Sequence, residues 1–216
     1  MSSLFEFRGE GIAQVATEGH RSYVGGNDQY WDEIGKLQFE FLRKNGLNEN
    51  TLLLDIGCGS LRGGCLFINF LAENNYLGID KELSLIILGV ANELGINVYL
   101  EKKPEFVVSA EFEFGKFSRI PTMAIAQSLF THLTLDDIGL CLKNLCEFVH
   151  EGFVLFATYF PSETLATNPS RSHSHACFHY TGNEIEALAL RVGFKFENIG
   201  DWGHPRGQNI AVFRKL

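Results

Sequence analysis

Two apolar rhythms alternate along the chain. Ile34, Leu37, Phe41 and Leu42 recur at helical spacing, and the pattern stops before Gly46. Short, nearly continuous apolar runs follow at Leu52–Ile56, Asn75–Ile79, Phe106–Ser109, Met123–Ala126 and Phe153–Thr158, each the length of a buried strand. Between them lie helical stretches. Gly63–Leu71 reads as one. Leu83, Ile86, Ile87, Val90 and Leu94 form the stripe of another, closed by Gly95. Thr134-Leu-Asp-Asp reads as a capping box ahead of Ile138, Leu142, Leu145 and Val149. Thr181-Gly-Asn-Glu opens a last helix with Ile185, Leu188 and Val192, ended by Gly193. Phe194–Ile199 and Asn209–Phe213 close the chain as strands. Residues 1–27 are Gly-rich and read as irregular; residues 161–180 form a loop rich in Ser, Thr and His.

Strand and helix alternate about five times before the last two strands meet without a helix between them. Such alternation predicts an α/β fold: a mostly parallel, Rossmann-like sheet with helices on both faces, closed by an antiparallel C-terminal hairpin. No repeat, low-complexity tract or linker divides residues 1–216, so one domain is expected.

Composition narrows the setting. Hydrophobic residues make up 45% and charged residues 20%, ordinary values for a soluble globular chain. No apolar run approaches the ~18 residues of a membrane span, so no membrane partner is expected. The first residues, Met1-Ser-Ser-Leu-Phe-Glu-Phe-Arg, lack the pattern of a signal peptide. Five cysteines, with no CxxC pair, argue against a disulfide framework or a zinc knuckle, and a reducing cytoplasm is the expectation. The formal net charge of −8 disfavours a nucleic-acid partner, whose backbone calls for clustered Lys and Arg.

The candidate chemistry centres on LLLDIGCGSLRGG, Leu52 to Gly64. A strand, a glycine loop and a helix place this loop at the carboxyl edge of the sheet, where open α/β folds bind ligands. No Gly-Lys-Ser/Thr follows, which excludes a P-loop. A dinucleotide fingerprint would put glycine where Arg62 stands, and Asp55 would repel a pyrophosphate. That acid suits a ligand carrying an ammonium and a sulfonium instead. Asp80, at the end of the second strand, lies 25 positions later, where nucleotide-binding folds keep the carboxylate that holds ribose hydroxyls; it also suits a helix N-cap.

With these acids and glycines, the sequence resembles the class I S-adenosylmethionine-dependent methyltransferases from about Tyr23 to Phe213. The resemblance implies a seven-stranded sheet with its last strand antiparallel, and S-adenosylmethionine as cofactor. Carried over by position, Asp55, Gly57 and Gly59 (with Cys58 between them) match the family's first motif, and Asp80 with Lys81 its ribose-binding turn. Glu111 and Phe112 match the pair that faces adenine, and Gln127 and Ser128 the end of strand four near the methionine part. The family's third glycine falls at Leu61, a departure that leaves the path of the loop open. Tyr30-Trp31, Gly35, Gln38-Phe39, Gln127-Ser-Leu-Phe-Thr-His132 and His204-Pro-Arg-Gly-Gln208 resemble small, stand-alone bacterial methyltransferases often associated with surface polysaccharides or secondary metabolites. The implied acceptor is a small molecule or sugar hydroxyl, with RNA or protein as the alternative. An NAD-dependent oxidoreductase and an inactive cofactor-binding scaffold are the rivals from other classes.

A hydroxyl acceptor benefits from a general base, and histidine suits that role. His132 follows strand four, beside the expected methyl position; capping a helix entry is its other reading. His173, His175 and His179 lie in the late loop, which reads as a substrate lid in preference to a metal site, since no HExxH-like motif accompanies them. His204 and Arg206, in the terminal hairpin, form a turn able to grip an acidic substrate. No metal ligand is assigned, and Cys58 reads as a small buried filler.

Overall fold

The computed structural model describes residue 15, residues 19–25 and residues 28–216. Most of the N-terminal segment read as irregular lies outside the described residues. Within it, His20–Tyr23 is a helical turn, α1, and not coil.

The parallel strands β1 (Leu53–Ile56), β2 (Tyr76–Asp80), β3 (Glu105–Val108), β4 (Met123–Ala126) and β5 (Val154–Pro161) occupy the runs marked out by apolar content. A two-residue strand, β6 (His179–Tyr180), pairs with the end of β5, and β7 (Phe194–Asp201) and β8 (Asn209–Lys215) complete the sheet in the order β3-β2-β1-β4-β5-β8-β7. β8 runs antiparallel to both β5 and β7, as expected of a closing hairpin. β1 and β4 are buried throughout, the pattern of central strands covered on both faces.

Helices α2 (Asp28–Lys44), α3 (Gly64–Phe70), α4 (Leu83–Leu88), α6 (Leu135–Phe148) and α7 (Gly182–Arg191) bury apolar residues against this sheet, forming two main cores, while α5 (Ile96–Lys102) has no buried residue. Local signals set their ends. Thr181 and Glu184 form a complete capping box for α7. At α6 the Thr134 hydroxyl accepts from the Asp137 amide, whereas the Asp137 carboxylate is taken up by the hydroxyls of Thr134 and Ser172. The box expected there is therefore half made.

Two expectations change. The stripe from Leu83 to Leu94 is two structures: α4, then a π-helical stretch over Gly89–Leu94. The wider turn shifts the buried face, so Leu85, Ile86 and Leu94 go inward while Leu83 and Ile87 stay exposed. The break sits where the helix grazes the glycine loop: a Cβ on Gly89 would lie 2.7 Å from the Ser60 backbone. Helix α5 then fills a stretch to which the sequence pattern assigns no element, between Gly95 and the left-handed Lys103.

Candidate functional site

A cavity of about 770 Å³ opens at the carboxyl ends of β1 to β4. Its floor is the loop after β1. The amides of Gly57 and Cys58 both donate to the Ile79 carbonyl, at 2.8 and 3.1 Å, which folds the loop back over β2. Gly57 and Gly59 have φ of 74° and 51°, and Leu61 follows at 65°. The position where a third glycine is expected thus takes the conformation glycine adopts freely. Leu61 holds it because its side chain is fully buried in the second core. Phe112 (φ 55°) and Ser128 (φ 56°) repeat this on the loops after β3 and β4, where both line the cavity. Strain of this kind persists where packing over-determines it, and it gathers at binding sites.

Two carboxylates face the floor. Asp80 accepts from the Gly59 amide (2.8 Å) and the Glu82 amide (2.9 Å), tying the tip of the glycine loop to the end of β2. The Lys81 backbone also bonds to it, and its remaining acceptor capacity is open to a ligand. Asp55 accepts from the Tyr76 hydroxyl at 2.8 Å. Burial pushes the Asp55 carboxyl up to about 7, with the charge of Asp80 adding to the rise, and burial raises Asp80 as well. The pair is poised to be stabilised by a cation. Cys58, between the glycines, is buried and its thiol is pushed far up by desolvation, so it packs and does not react. Lys81, Glu111 and Phe112 line the adjoining wall; Phe112 stacks on Phe114 and offers an apolar face to a flat ring.

Gln127 and Ser128 belong to a buried polar network. The Ser128 amide donates to Thr158 Oγ1 (2.7 Å), whose hydroxyl donates to Gln208 Oε1 (2.7 Å), while Gln127 Nε2 reaches Ser128 Oγ (2.9 Å) and the His204 ring (3.0 Å). The sequence marks Thr158 only as a strand end and Gln208 only as part of the His204-Pro-Arg-Gly-Gln208 motif; the signal of their pairing is a hydrogen-bonding residue inside or beside an otherwise apolar strand.

The histidines separate. His132 lines the cavity from a 3₁₀ turn, with Nδ1 2.7 Å from the Ala176 carbonyl. A carbonyl only accepts, so Nδ1 carries the proton and Nε2 keeps its lone pair. Burial lowers the His132 pKa and keeps the ring neutral. The late loop is stitched down beside it: the His173 amide donates to the His132 carbonyl, the Phe178 amide to the Thr131 carbonyl, and the Tyr180 hydroxyl to the Leu133 carbonyl. His175 lines the cavity and sits edge-on to Tyr23, 5.1 Å between ring centroids. His179 stays outside the cavity wall, stacked on Phe160 with its backbone held by the Asn168 amide group. His204 also stays outside: it is buried, stacked on Trp202, and pushed down to about 4 by burial and by the charges of Arg62 and Arg206. His179 and His204 therefore stand apart from the residues that line the cavity. Among the described residues no three His, Cys, Asp or Glu side chains are grouped to hold a metal ion.

Tyr23, Val24 and Gly25 cross the open side as a strap. Arg21 anchors it to Glu93 with two 2.7 Å bonds, and Val24 presses on Gly59. Arg206 lines the cavity and donates to the Gly25 carbonyl at 3.1 Å; Arg62 reaches the Val24 carbonyl at 3.4 Å. Trp31 is buried, under the Arg21 guanidinium and edge-on to the His20 ring.

Five buried side-chain polar atoms lack a partner among the described residues, and three of them, Ser60 Oγ, Arg62 Nε and Gln127 Oε1, belong to residues of this cavity. Buried groups are normally satisfied, so this clustering marks a place for a ligand.

No family model and no curated protein sequence matches the chain. Solved structures do. Magnesium protoporphyrin IX methyltransferase (ChlM) from Synechocystis PCC 6803, with SAH bound, aligns over 98% of this chain and 97% of its own at 13% identity and a TM-score of 0.67. The chain has the class I methyltransferase fold. The CcbJ methyltransferase from Streptomyces caelestis covers 95% and 96% at 14% identity and the same TM-score. A DhpI–SAH complex aligns over 99% and 95% at 15% identity with a TM-score of 0.65. The methyltransferase fold accounts for the strand order, and it puts the loop after β1 and the end of β2 at one ligand cavity.

Proposed function

We propose that the protein is an S-adenosylmethionine-dependent methyltransferase whose acceptor is a small molecule or sugar hydroxyl. The observation that carries this reading is the pair of carboxylates, buried Asp55 and half-buried Asp80, flanking the Gly57–Gly59 turn within a methyltransferase fold. Asp80 would accept from the ribose hydroxyls through its remaining acceptor capacity. Asp55 would face the ammonium of the methionine part, and Phe112 and Glu111 the adenine. Gln127 and Ser128 close the methionine end, where the unpartnered Gln127 Oε1 supplies an acceptor. When bound, the cofactor supplies a methyl group on a sulfonium, open to in-line displacement.

The chain's own contribution is placement. The strap and the stitched late loop roof the cavity, excluding water and holding the acceptor in near-attack geometry. His132, with its tautomer set by Ala176, takes the proton from the acceptor hydroxyl at Nε2. A roofed cavity of about 770 Å³ takes the cofactor and a compact acceptor, which favours a small molecule over RNA or a folded protein. The test is transfer of labelled methyl to a panel of sugars and small hydroxyl compounds, run beside total RNA and protein. Label in the small-molecule fraction alone is the expected result; label in RNA or protein would overturn the assignment of acceptor.

Asp55 gives this reading a pH signature. Its folded pKa stands at about 7, above the unfolded value, so the folded state holds the extra proton. That contribution to stability is complete below the unfolded pKa of about 4 and is lost as pH rises through about 7. A ligand ammonium favours the ionised form and reverses the loss. Stabilisation by S-adenosylhomocysteine in thermal melts should therefore be larger at pH 8 than at pH 6, and Asp55→Asn should flatten the dependence. An equal shift at both values would remove Asp55 from the site.

A further inference from the structure

Arg62 and Arg206 are far apart in the sequence, yet both line the cavity beside the strap. Each donates one Nη1 bond to a strap carbonyl, Arg62 to Val24 and Arg206 to Gly25. Gly25 makes the approach of Arg206 possible, since a Cβ there would lie 2.7 Å from Arg206 Nη1. Among the described residues neither guanidinium is in an ion pair with a carboxylate. The two are close enough to repel: the charge of Arg206, after burial, helps bring Arg62 down to about 10, and Asp55 only partly opposes this. Arg62 Nε is buried without a partner. Two like charges at one wall, with a buried N–H left over, are unfavourable until an anion with forked acceptors arrives.

We propose that Arg62 and Arg206 form a two-armed receptor for a carboxylate inside the cavity. The planar fork of each guanidinium matches a carboxylate's paired oxygens, and the strap carbonyls hold both forks at the cavity wall. This rests on the methyltransferase reading, which offers two sources of the group: the amino-acid end of the methyl donor, or an acid on the acceptor. The receptor also explains why arginine stands at position 62, where a dinucleotide-binding loop has glycine.

The experiment titrates S-adenosylhomocysteine and 5′-methylthioadenosine, the same nucleoside without an amino-acid end, into the wild type, Arg62→Gln and Arg206→Gln at low ionic strength. Malonate is then added to each nucleoside-loaded protein and followed by thermal melting. If the donor's carboxylate is held, each variant loses S-adenosylhomocysteine affinity by about tenfold to a hundredfold while 5′-methylthioadenosine binds as before. If an acceptor's carboxylate is held, both nucleosides bind unchanged, and malonate stabilises the loaded wild type but not the variants. A parallel weakening of both nucleosides would mean the arginines only pin the strap, and no change in any titration would leave them idle; either overturns the receptor. Arg206→Gln, in a hairpin loop away from the core, carries the test should Arg62→Gln fail to fold. Failure of the wild type to bind either nucleoside would instead overturn the methyltransferase reading, and malonate stabilisation of the nucleoside-free protein would then still decide the receptor.

Discussion

Replacing His132 by alanine should lower methyl transfer by about 10²–10⁴-fold, the usual scale for a lost general base, while leaving cofactor affinity nearly intact. The Ala176 carbonyl takes the Nδ1 proton at 2.7 Å, so the lone pair sits on Nε2 of a ring in the cavity wall. Burial lowers the His132 pKa, which keeps this lone pair available at neutral pH. The pH–rate profile should accordingly be flat around neutrality and fall only below the ordinary histidine value of about 6.5. His132→Gln is the informative companion, because it keeps volume and polarity without a titrating base. Normal turnover in both variants, on any acceptor the wild type methylates, would move the base to another group, with His175 the next histidine in the wall.

Asp80→Ala should weaken S-adenosylhomocysteine binding by about 1.5–3 kcal/mol, the range for hydrogen bonds to a charged group. The structure adds a second consequence. Because the Asp80 carboxylate also holds the amides of Gly59 and Glu82, its removal frees the tip of the glycine loop. The melting temperature of the unliganded protein should therefore drop too. Asp80→Asn, which retains one acceptor oxygen, should fall between wild type and alanine in both measurements. Unchanged affinity beside a lowered melting temperature would confine Asp80 to a role in the loop.

The sheet was legible because its strands are short apolar runs, wholly buried at the central β1 and β4, and β4 falls at Met123–Ala126 as the runs indicate. The floor of the cavity was legible because an acid and two glycines at fixed spacing admit few uses. Three features were not. Helix α5 lacks a buried residue, so it offers no stripe to read. The π-helical stretch depends on contact between Gly89 and Ser60, which are 29 positions apart, a relation no local period records. His204 and His179 look alike in sequence to His132, and only the tertiary packing of Trp202, Phe160 and Asn168 takes them out of the cavity. Leu61 is the instructive middle case. Its departure from glycine was visible, but only a fully buried side chain shows why the left-handed turn survives it.

The central claim is that the cavity above Asp55, Gly57, Gly59 and Asp80 holds S-adenosylmethionine, and calorimetric titration of the purified protein tests it most directly. S-adenosylhomocysteine should bind at one site with micromolar affinity, on the order of −8 kcal/mol, and NAD should give no heat. Binding of NAD with no response to S-adenosylhomocysteine at high concentration would contradict the account.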